Sequence, residues 1–416
     1  MMFDQQRTPA SAPLARRDVL RLAALTASIG AIGTGGLLSP DRAQAATVPS
    51  ATSLTNAYSF LAGQFDQYGT GTALRLPSSY KGGQLAGFIS SFAYDDALVI
   101  LAWLASGTAA DRQRAIVLGD SLIHAQSTDP LGDGRTRASY QPDSFRAGAA
   151  PEIGSAAANT GNQAWVGMAL ARIFGITGQR RFLDAALRLA TWIQTTGWDG
   201  TRAPFGYTGG RDGSNTPITY KSSEHNIDVG AFFTMLGALT GDTTWTTRAQ
   251  SAYSFVAAMR SSGGWVWTGT DTDGRTINTT PVPADVQTWA YLATGDVRYS
   301  PAVTWVINNL MTTDAGITGS SYSSTDTSKV WLEGSAQLAL AVRARGTTGD
   351  PALYTSLMGN IEKAQTTSPN SDGRGIVAAS TDGLLTGFGD TYSASLHTGA
   401  TAFYLMAAKG YNPFRL

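Results

Sequence analysis

A short turn motif recurs along the chain and predicts the junctions of helical hairpins. In each copy a glycine follows a small hydroxyl residue: Ser106-Gly107-Thr108, Thr177-Gly178-Gln179, Thr240-Gly241-Asp242, Thr294-Gly295-Asp296 and Thr348-Gly349-Asp350. Glycine ends a helix readily because it adopts the left-handed conformation at little cost, and Asp or Thr then caps the next helix. Each copy therefore predicts a tight turn between two antiparallel helices.

The segments on the two sides of each junction differ in where their apolar residues lie. The five segments before a junction are apolar on nearly every side, which is typical of buried helices. A sixth segment of this kind closes the chain. These predicted inner helices are 94–106, 162–175, 223–239, 284–293, 330–344 and 393–409. The five segments after a junction carry charged residues on one side, as helices at a protein surface do. One more segment of this kind precedes the first inner helix. These predicted outer helices are 53–67, 110–126, 180–195, 245–260, 301–311 and 351–364. The sequence thus predicts six inner and six outer helices in alternation.

The connections between these helices also alternate in length. Turns from an inner to an outer helix have two to six residues, whereas the links back to an inner helix have about 20 to 30, a length at which loops usually carry function. We predict an all-α (α/α)6 barrel, formed by residues 46–416 as a single domain, with every long link at the end where the inner helices begin. A solenoid is the alternative, but its repeats have uniform short loops.

The first 45 residues are predicted to be an export signal. Arg16-Arg17 precedes an apolar stretch rich in Gly and Ala, and Ala43-Gln44-Ala45 matches a cleavage site that leaves Ala46 as the new N-terminus. Paired arginines before a weakly apolar stretch resemble a twin-arginine signal. A general secretory signal or a membrane anchor is the alternative, and the cleavage site argues against the anchor. We expect a periplasmic or secreted protein.

Composition narrows the classes of function. The sequence has no cysteine, which excludes disulfides, thiolate catalysis and Cys-ligated metals. Residues 46–416 contain 25 basic and 27 acidic residues, a net charge of −2, so nothing indicates binding to nucleic acid or to an anionic membrane surface. No apolar stretch after the signal is long enough to span a membrane. We expect a monomer that binds a carbohydrate.

Polar residues occur at or near the start of every inner helix. The six are Asp95, Asn162, Glu224, Asp285, Glu333 and His397. Burying a charged group inside an apolar helix costs folding free energy unless the charge is paired or serves a functional site. Each of these residues alone is equally well explained as a helix cap, because acidic groups favour helix N-termini. As a set, they predict a polar cavity at the centre of the ring.

Further candidates lie near these positions. Asp228 shares a helix face with Glu224, and Trp289 shares one with Asp285, because residues four apart lie on the same side of a helix. The candidates for binding sugar hydroxyls or sugar rings are Asp96, Asn162, His225, Asn226, Asp228, Trp267, Gln287, Trp289, Trp331 and His397. Packing in the core or in the loops is the alternative for the aromatic residues.

Metal and cofactor motifs are absent from the sequence. His225 and His397 open inner helices that face each other across a ring of six, but neither pairs with another histidine at metal-ligand spacing, so a zinc site is not expected. A calcium site at Asp271 and Asp273 is a weak alternative. The chain has no G-x-S-x-G motif and no phosphate-binding or dinucleotide-binding glycine loop. We expect no metal and no cofactor.

On this architecture the chain resembles the six-hairpin toroid glycosidases, without matching one family within them. Such enzymes are mostly inverting glycoside hydrolases, in which one carboxylic acid protonates the leaving oxygen and one carboxylate activates water. The resemblance implies an exported hydrolase of a polysaccharide or oligosaccharide. Glu224 is the first choice for the acid, because a carboxyl buried beside Asp228 would hold its proton. Asp95 is the first choice for the base, followed by Asp285 and Glu333.

Three other functions fit the same scaffold. A polysaccharide lyase needs cationic groups to neutralise a uronate, and the nearest to the predicted site are Lys221 and Arg211. A sugar epimerase typically uses a pair of histidines, a role that His225 and His397 would fill. A non-catalytic protein that binds glycans is the third alternative.

Overall fold

The computed structural model of the protein describes residues 48–145 and 151–416. The predicted export signal, 1–45, therefore lies outside the described residues. Within the described residues no helix combines the length and the apolar character needed to cross a membrane.

Twelve α-helices alternate between two concentric rings in the described part of the chain. They are α1 (Ala51–Asp66), α2 (Ala93–Ser106), α3 (Ala109–Ser127), α4 (Thr160–Thr177), α5 (Arg180–Gly197), α6 (Ser223–Thr240), α7 (Thr243–Ala258), α8 (Ala284–Thr294), α9 (Ser300–Asn309), α10 (Leu332–Arg345), α11 (Asp350–Thr367) and α12 (Thr398–Lys409). The even-numbered helices contact one another in sequence, and α12 returns to α2. The predicted toroid of six hairpins is thereby confirmed, and helices three places apart in the ring face each other across its centre.

The predicted junction glycines end four of the inner helices. Gly107, Gly178, Gly241 and Gly295 each follow the last helical residue in the left-handed conformation. The fifth junction differs from the prediction, because Gly346 ends α10 and Gly349 precedes α11. Asp350 pairs with Arg345 across this turn at 2.6 Å, and that ion pair joins the two helix ends through a four-residue connection.

The long links carry short antiparallel strands at the end where the inner helices begin. The described strands form seven small sheets: β1 (Tyr80–Lys81), β2 (Ser91–Phe92), β3 (Ser139–Tyr140), β4 (Ile153–Ser155), β5 (Ala158–Asn159), β6 (Trp198–Asp199), β7 (Gly206–Tyr207), β8 (Gly210–Arg211), β9 (Pro217–Ile218), β10 (Gly269–Thr270), β11 (Ile277–Asn278), β12 (Met311–Asp314), β13 (Ile317–Ser320), β14 (Ile376–Val377), β15 (Leu384–Leu385), β16 (Thr391–Tyr392) and β17 (Leu396–His397). Two single 3₁₀ turns, Gly83–Leu85 and Pro142–Ser144, lie in these links, and a third, Val297–Tyr299, lies in the short connection between α8 and α9.

The predicted start of the last inner helix was wrong. Residues 393–397 are not helical, and α12 begins at Thr398. His397 instead lies in β17, the central strand of a sheet with β1 and β14, opposite Tyr80 and Ile376. β14 belongs to the same link as β17, but β1 comes from the link between α1 and α2, at the other end of the chain, so no local pattern revealed that pairing.

A polar side chain four residues into each inner helix ties that helix to the preceding link. In five helices this side chain accepts a link N–H and donates to the carbonyl four residues back: Gln163, Asn226, Gln287, Ser335 and Thr401. In α2 the position is Asp96, which accepts a hydrogen bond from Ser91 Oγ at 2.7 Å. These ties hold every link above the start of its helix.

An aromatic cluster closes the opposite side of the cavity. Trp165, Trp289 and Phe403 project from α4, α8 and α12 and contact one another with ring centroids 5.2–6.4 Å apart. Phe414, from the C-terminal segment, packs against both tryptophans. Trp289, predicted to bind substrate, is therefore part of the floor beneath the ring centre.

Candidate active site

The second residue of each inner helix faces the centre of the ring. In four helices it is polar, namely Tyr94, Glu224, Asp285 and Glu333, and in α4 and α12 it is Gly161 and Gly399. The glycines leave room for neighbouring side chains. A Cβ atom on Gly161 would lie 2.6 Å from His225 Cδ2, and one on Gly399 would lie 2.7 Å from Asp95 Oδ1.

His397 links two of the carboxyls on one side of the centre. Its Nε2 lies 3.3 Å from Asp95 Oδ1, and its Nδ1 lies 3.6 Å from Glu333 Oε2. The Tyr80 ring stacks on the imidazole with centroids 4.4 Å apart. Burial acts to lower the pKa of His397, but the charges of Asp95 and Glu333 outweigh it and raise the pKa above its usual value.

Glu333 has two further partners within the ring. Tyr94 donates a hydrogen bond to Glu333 Oε1 at 2.7 Å, and Gln337, one turn deeper in α10, donates to the same oxygen at 3.1 Å. Burial raises the pKa of Glu333 above the usual value of a glutamate, against the opposing influence of His397 and of the Tyr94 hydroxyl.

A second group of carboxyls extends from α6 to α8. Glu224 is half-buried, whereas Asp228 and Asp285 are buried. Burial and then the charge of Glu224 raise the pKa of Asp285 to about 8 and that of Asp228 well above the usual aspartate range. His225 lies beside Asp228, and burial lowers its pKa. This side of the ring therefore holds protonated acids and a neutral imidazole at neutral pH.

His397 is the basic side chain that contacts the central carboxyls. Among the described residues, no lysine or arginine forms an ion pair with Asp95, Glu224, Asp228, Asp285 or Glu333. Both carboxylate oxygens of Asp228 are buried without a hydrogen-bond partner. No group of three His, Asp or Glu side chains in 48–145 and 151–416 is arranged to hold a metal ion. The Asp228 carboxyl therefore keeps hydrogen-bonding capacity that no other side chain of the described residues satisfies.

Aromatic side chains from three links surround the rim. Trp331 precedes α10, is buried, and packs against Tyr322 and Tyr392 with ring centroids 4.8 and 5.9 Å away. Trp267 is half-buried beside the start of α6, where its carbonyl accepts a hydrogen bond from Ser223 Oγ. Trp267 and Trp331, two of the three tryptophans predicted to bind sugar, thus occupy separate parts of the rim.

Seven of the candidate residues are brought together at the ring centre. They are Asp95, Glu224, His225, Asp228, Asp285, Glu333 and His397. Asp96, Asn226 and Gln287 instead occupy the fourth-residue positions that hold the links, and the amides of the last two are saturated with backbone hydrogen bonds. Asn162 is half-buried next to Gly161.

Two residues at the centre were missed by the sequence prediction. Tyr94 was identifiable, because it holds the same helical position as Glu224, Asp285 and Glu333. Tyr80 carried no signal, because it reaches His397 only through the pairing of β1 with β17.

No family model matches the chain, and no curated protein matches it. Solved structures do match its fold. A cellobiose 2-epimerase from Bacillus thermoamylovorans is 11% identical, with a TM-score of 0.63, over 85% of this chain and 98% of that chain. A D-mannose isomerase is also 11% identical, with a TM-score of 0.62, over 88% and 97%.

Glycoside hydrolases are among the matches as well. An inactive variant of an α-1,6-mannanase from Salegentibacter sp., in complex with α-1,6-mannotriose, is 12% identical, with a TM-score of 0.56, over 87% of this chain and 98% of that chain. The predicted resemblance to six-hairpin toroid enzymes is confirmed at the level of the fold, and at this identity the matches show the fold alone.

Proposed function

We propose that the protein is a glycoside hydrolase that cleaves a neutral polysaccharide or oligosaccharide with inversion, with Asp285 as the general acid and Asp95 as the general base. The observation that carries this proposal is the burial of Asp285 beside Glu224, which raises the pKa of Asp285 to about 8. A carboxylic acid that keeps its proton at neutral pH can donate it to the leaving glycosidic oxygen. Glu224, the first choice from the sequence, is more exposed than Asp285.

The position of Asp95 supports its role as the base. It lies on α2, three helices from α8 and hence on the opposite side of the ring from Asp285. Both of its carboxylate oxygens lack a hydrogen-bond partner, although the imidazole of His397 lies nearby. Inversion requires a base on the face of the sugar opposite the acid, with room for a water molecule.

The matched mannanase offers a parallel to this assignment. Its inactive variant carries substitutions at two consecutive aspartates. The present chain also has consecutive aspartates, Asp95 and Asp96, at an inner-helix start, where Asp95 faces His397 and Asp96 holds the helix to its link.

The charges around the centre favour a neutral substrate. An anionic sugar would meet five carboxyls, two of which already hold protons at neutral pH because of mutual repulsion and burial. Lys221, the nearest candidate to neutralise a uronate, is fully buried, donates to the carbonyls of Pro204 and Gly274, and pairs with Asp199. This arrangement argues against a lyase.

A sugar epimerase or isomerase is the second candidate. Its supporting observation is that the two buried histidines are shifted in opposite directions. The pKa of His225 is lowered by burial, and that of His397 is raised by Asp95 and Glu333. An imidazole with a lowered pKa and one with a raised pKa differ in basicity, as the acid and the base of a proton transfer at a sugar carbon must.

Product analysis on defined glycans tests the proposal. The purified protein would be incubated with α-1,6-mannan, dextran, xylan and polygalacturonate, and separately with cellobiose and D-mannose. Reducing ends, unsaturated products and the anomer released would be measured. We expect new reducing ends with inverted configuration from a neutral polymer, and a loss of about a thousandfold in Asp285→Asn and Asp95→Asn.

Asp184→Asn is the matched control, because it makes the same chemical change at an exposed carboxyl that pairs only with Arg180. It should leave activity unchanged. Unsaturated products would replace the proposal with a lyase. Conversion of cellobiose or mannose without hydrolysis, lost in His225→Gln and His397→Gln, would replace it with the second candidate. Glycan binding without any product would indicate a binding protein.

We also propose that the chain is exported through a twin-arginine signal and cleaved after Ala45. Arg16→Lys combined with Arg17→Lys should retain the protein in the cytoplasm, whereas the same change at an exposed arginine of the barrel, Arg112→Lys, should not. N-terminal sequencing of the exported protein should begin at Ala46. An exported protein that still begins at Met1 would contradict the proposal.

A further inference from the structure

A groove of about 370 Å³ runs along the outside of the barrel beside the last two turns of α1. Its lining includes Gln67 and Tyr68 at the end of α1, Lys81 in β1, and Arg374 in the link that precedes β14. Outer helices run opposite to inner ones, so the end of α1 lies at the same side of the barrel as the candidate active site. The groove thus extends along the outside of the barrel toward the end that holds the candidate active site.

A smaller cavity of about 190 Å³ lies at the rim itself. It is lined by Tyr80, Phe88, Phe92 and Tyr392, among others. Tyr80 and Phe88 line both cavities, and Tyr80 also stacks on His397 at the ring centre. A path of contacting aromatic rings therefore leads from His397 through Tyr80 and Phe92 to Phe88, which lines both cavities.

The side chains along this path combine two features that sugars require. Phe88 and Ile89 are 40% and 46% exposed, which is unusual for large apolar residues and suits stacking against the apolar face of a pyranose. Gln67 and Arg374 are exposed and supply hydrogen-bond donors, and the Arg374 guanidinium has no hydrogen-bond partner among the described residues. Lys81 is neutralised by Asp372 at 3.3 Å, so the groove carries little net charge.

We infer that the outer groove is a distal binding site for a neutral glycan chain, which holds sugar units beyond those at the ring centre. The inference rests on the proposed function and deepens it, because a protein with such a site acts on polymers in preference to short oligosaccharides. Phe88 lies where the chain crosses the rim, and Gln67 and Arg374 contact the units farther out. The groove is large enough for several hydroxyl contacts along a bound chain.

The test compares substrates of different length. A double variant, Gln67→Ala with Arg374→Ala, would be assayed on the polymer that the protein cleaves fastest and on the shortest oligosaccharide of the same series. The matched control is Arg112→Ala with Gln113→Ala, two exposed residues of the same types on α3. Loss of two or three hydrogen bonds should lower kcat/KM on the polymer about tenfold, mainly through KM.

The same double variant should cleave the shortest oligosaccharide as well as the control does. Phe88→Ala should lower activity on both substrates, because it lies on the shared path. Equal activity of the double variant and the control on the polymer would overturn the inference, and so would equal losses on short and long substrates.

A second measurement separates the groove from catalysis. If none of the four polysaccharides is hydrolysed, the proposed function fails. Glycan binding by the groove can still be tested by native electrophoresis in gels that contain α-1,6-mannan, dextran or xylan. Retardation of the unmodified protein that is lost in the double variant but kept in the control would support a glycan-binding groove. The absence of retardation in every gel would overturn it.

Discussion

Asp285 and Asp95 lie on opposite inner helices and differ in their surroundings. Asp285 is buried near Glu224, with no positive charge to stabilise its ionised form, whereas Asp95 faces an imidazole whose pKa is raised. The two carboxyls are chemically identical in the sequence, so the difference in role comes entirely from what surrounds each of them.

The proton on Asp285 should set the alkaline limit of activity. Because its pKa is raised to about 8, the protonated form is present below that pH and is lost above it. The value of kcat/KM should therefore fall as pH rises through about 8. Glu224→Gln removes a negative charge that contributes to the raised pKa, so it should move this fall to lower pH. The pH–rate profiles of both proteins check this.

Asp184→Asn serves as the control for that profile, since it removes a carboxylate that is exposed and far from the ring centre. Its alkaline limit should coincide with that of the unmodified protein. An alkaline limit that stays in place in Glu224→Gln would show that Asp285 is not the titrating acid.

Gly161 is expected to be irreplaceable because of what lies beside it. The added methyl group of Gly161→Ala would lie 2.6 Å from His225 Cδ2 and 3.0 Å from Asp228 Oδ2, which forces side chains of the site to move. We expect a loss of about 1–3 kcal/mol in the free energy of unfolding, together with a fall in activity. Urea unfolding and steady-state assays measure both.

Gly175→Ala, near the other end of the same helix, is the matched control. Its added methyl group would meet only Leu239 Cδ2, at 3.8 Å. Better helix propensity should then stabilise the protein by about 0.5–1 kcal/mol without changing activity. Similar behaviour of the two variants would contradict the packing argument.

At the scale of elements, each inner helix is coupled to its link by one polar side chain. Gln287 accepts from the N–H of Val266 and donates to the carbonyls of Val266 and Pro283, each at 2.8–3.1 Å. The same arrangement recurs at Asn226 and Gln163. The links carry the rim aromatics, so these ties hold the rim in place through backbone hydrogen bonds.

Truncation of Gln287 should therefore destabilise the fold. Gln287→Ala leaves three buried backbone groups without partners, and we expect a loss of about 3 kcal/mol in the free energy of unfolding. Gln250→Ala, on the exposed face of α7, is the control and should change stability by less than about 0.5 kcal/mol. Equal stabilities of the two variants in urea unfolding would refute the role of this tie.

At the scale of the whole molecule, the ring is closed below the site by its own C-terminus. Phe414 fills the space between the tryptophans of α4 and α8. Asn412 and Arg415 anchor this segment by donating to the Leu292 carbonyl. The floor of the cavity thus depends on the last residues of the chain, which follow all six hairpins.

Removal of the Phe414 ring should weaken the entire barrel. Phe414→Ala creates a cavity in the shared floor, and we expect a loss of about 3–5 kcal/mol. If residues 46–416 form a single domain, as we propose, fluorescence and circular dichroism should follow one transition in both the variant and the unmodified protein. Leu416→Ala, at a half-exposed terminal residue, should be nearly neutral. Two separate transitions would contradict the single domain.

The sequence by itself determined the number, order and orientation of the helices. Glycine junctions and the spacing of apolar residues act within one or two helical turns, so they can be recognised in the sequence without knowledge of the tertiary structure. The same local chemistry predicted an acidic cavity, because charged residues at the starts of apolar helices must converge when six hairpins close into a ring. Asp95, Glu224, Asp285 and Glu333 were found in this way.

Only the tertiary structure decided which surroundings each of these residues has. His397 is held beside Asp95 and Glu333 in a strand that pairs with β1, from the distant link between α1 and α2. Burial, followed by the charge of Glu224, raises the pKa of Asp285 to about 8. Asn226 and Gln287 resembled ligand-binding residues in the sequence, yet their amides bind backbone atoms. Burial and long-range partners set the pKa and the hydrogen bonding of a side chain, and neither is encoded in its immediate neighbours.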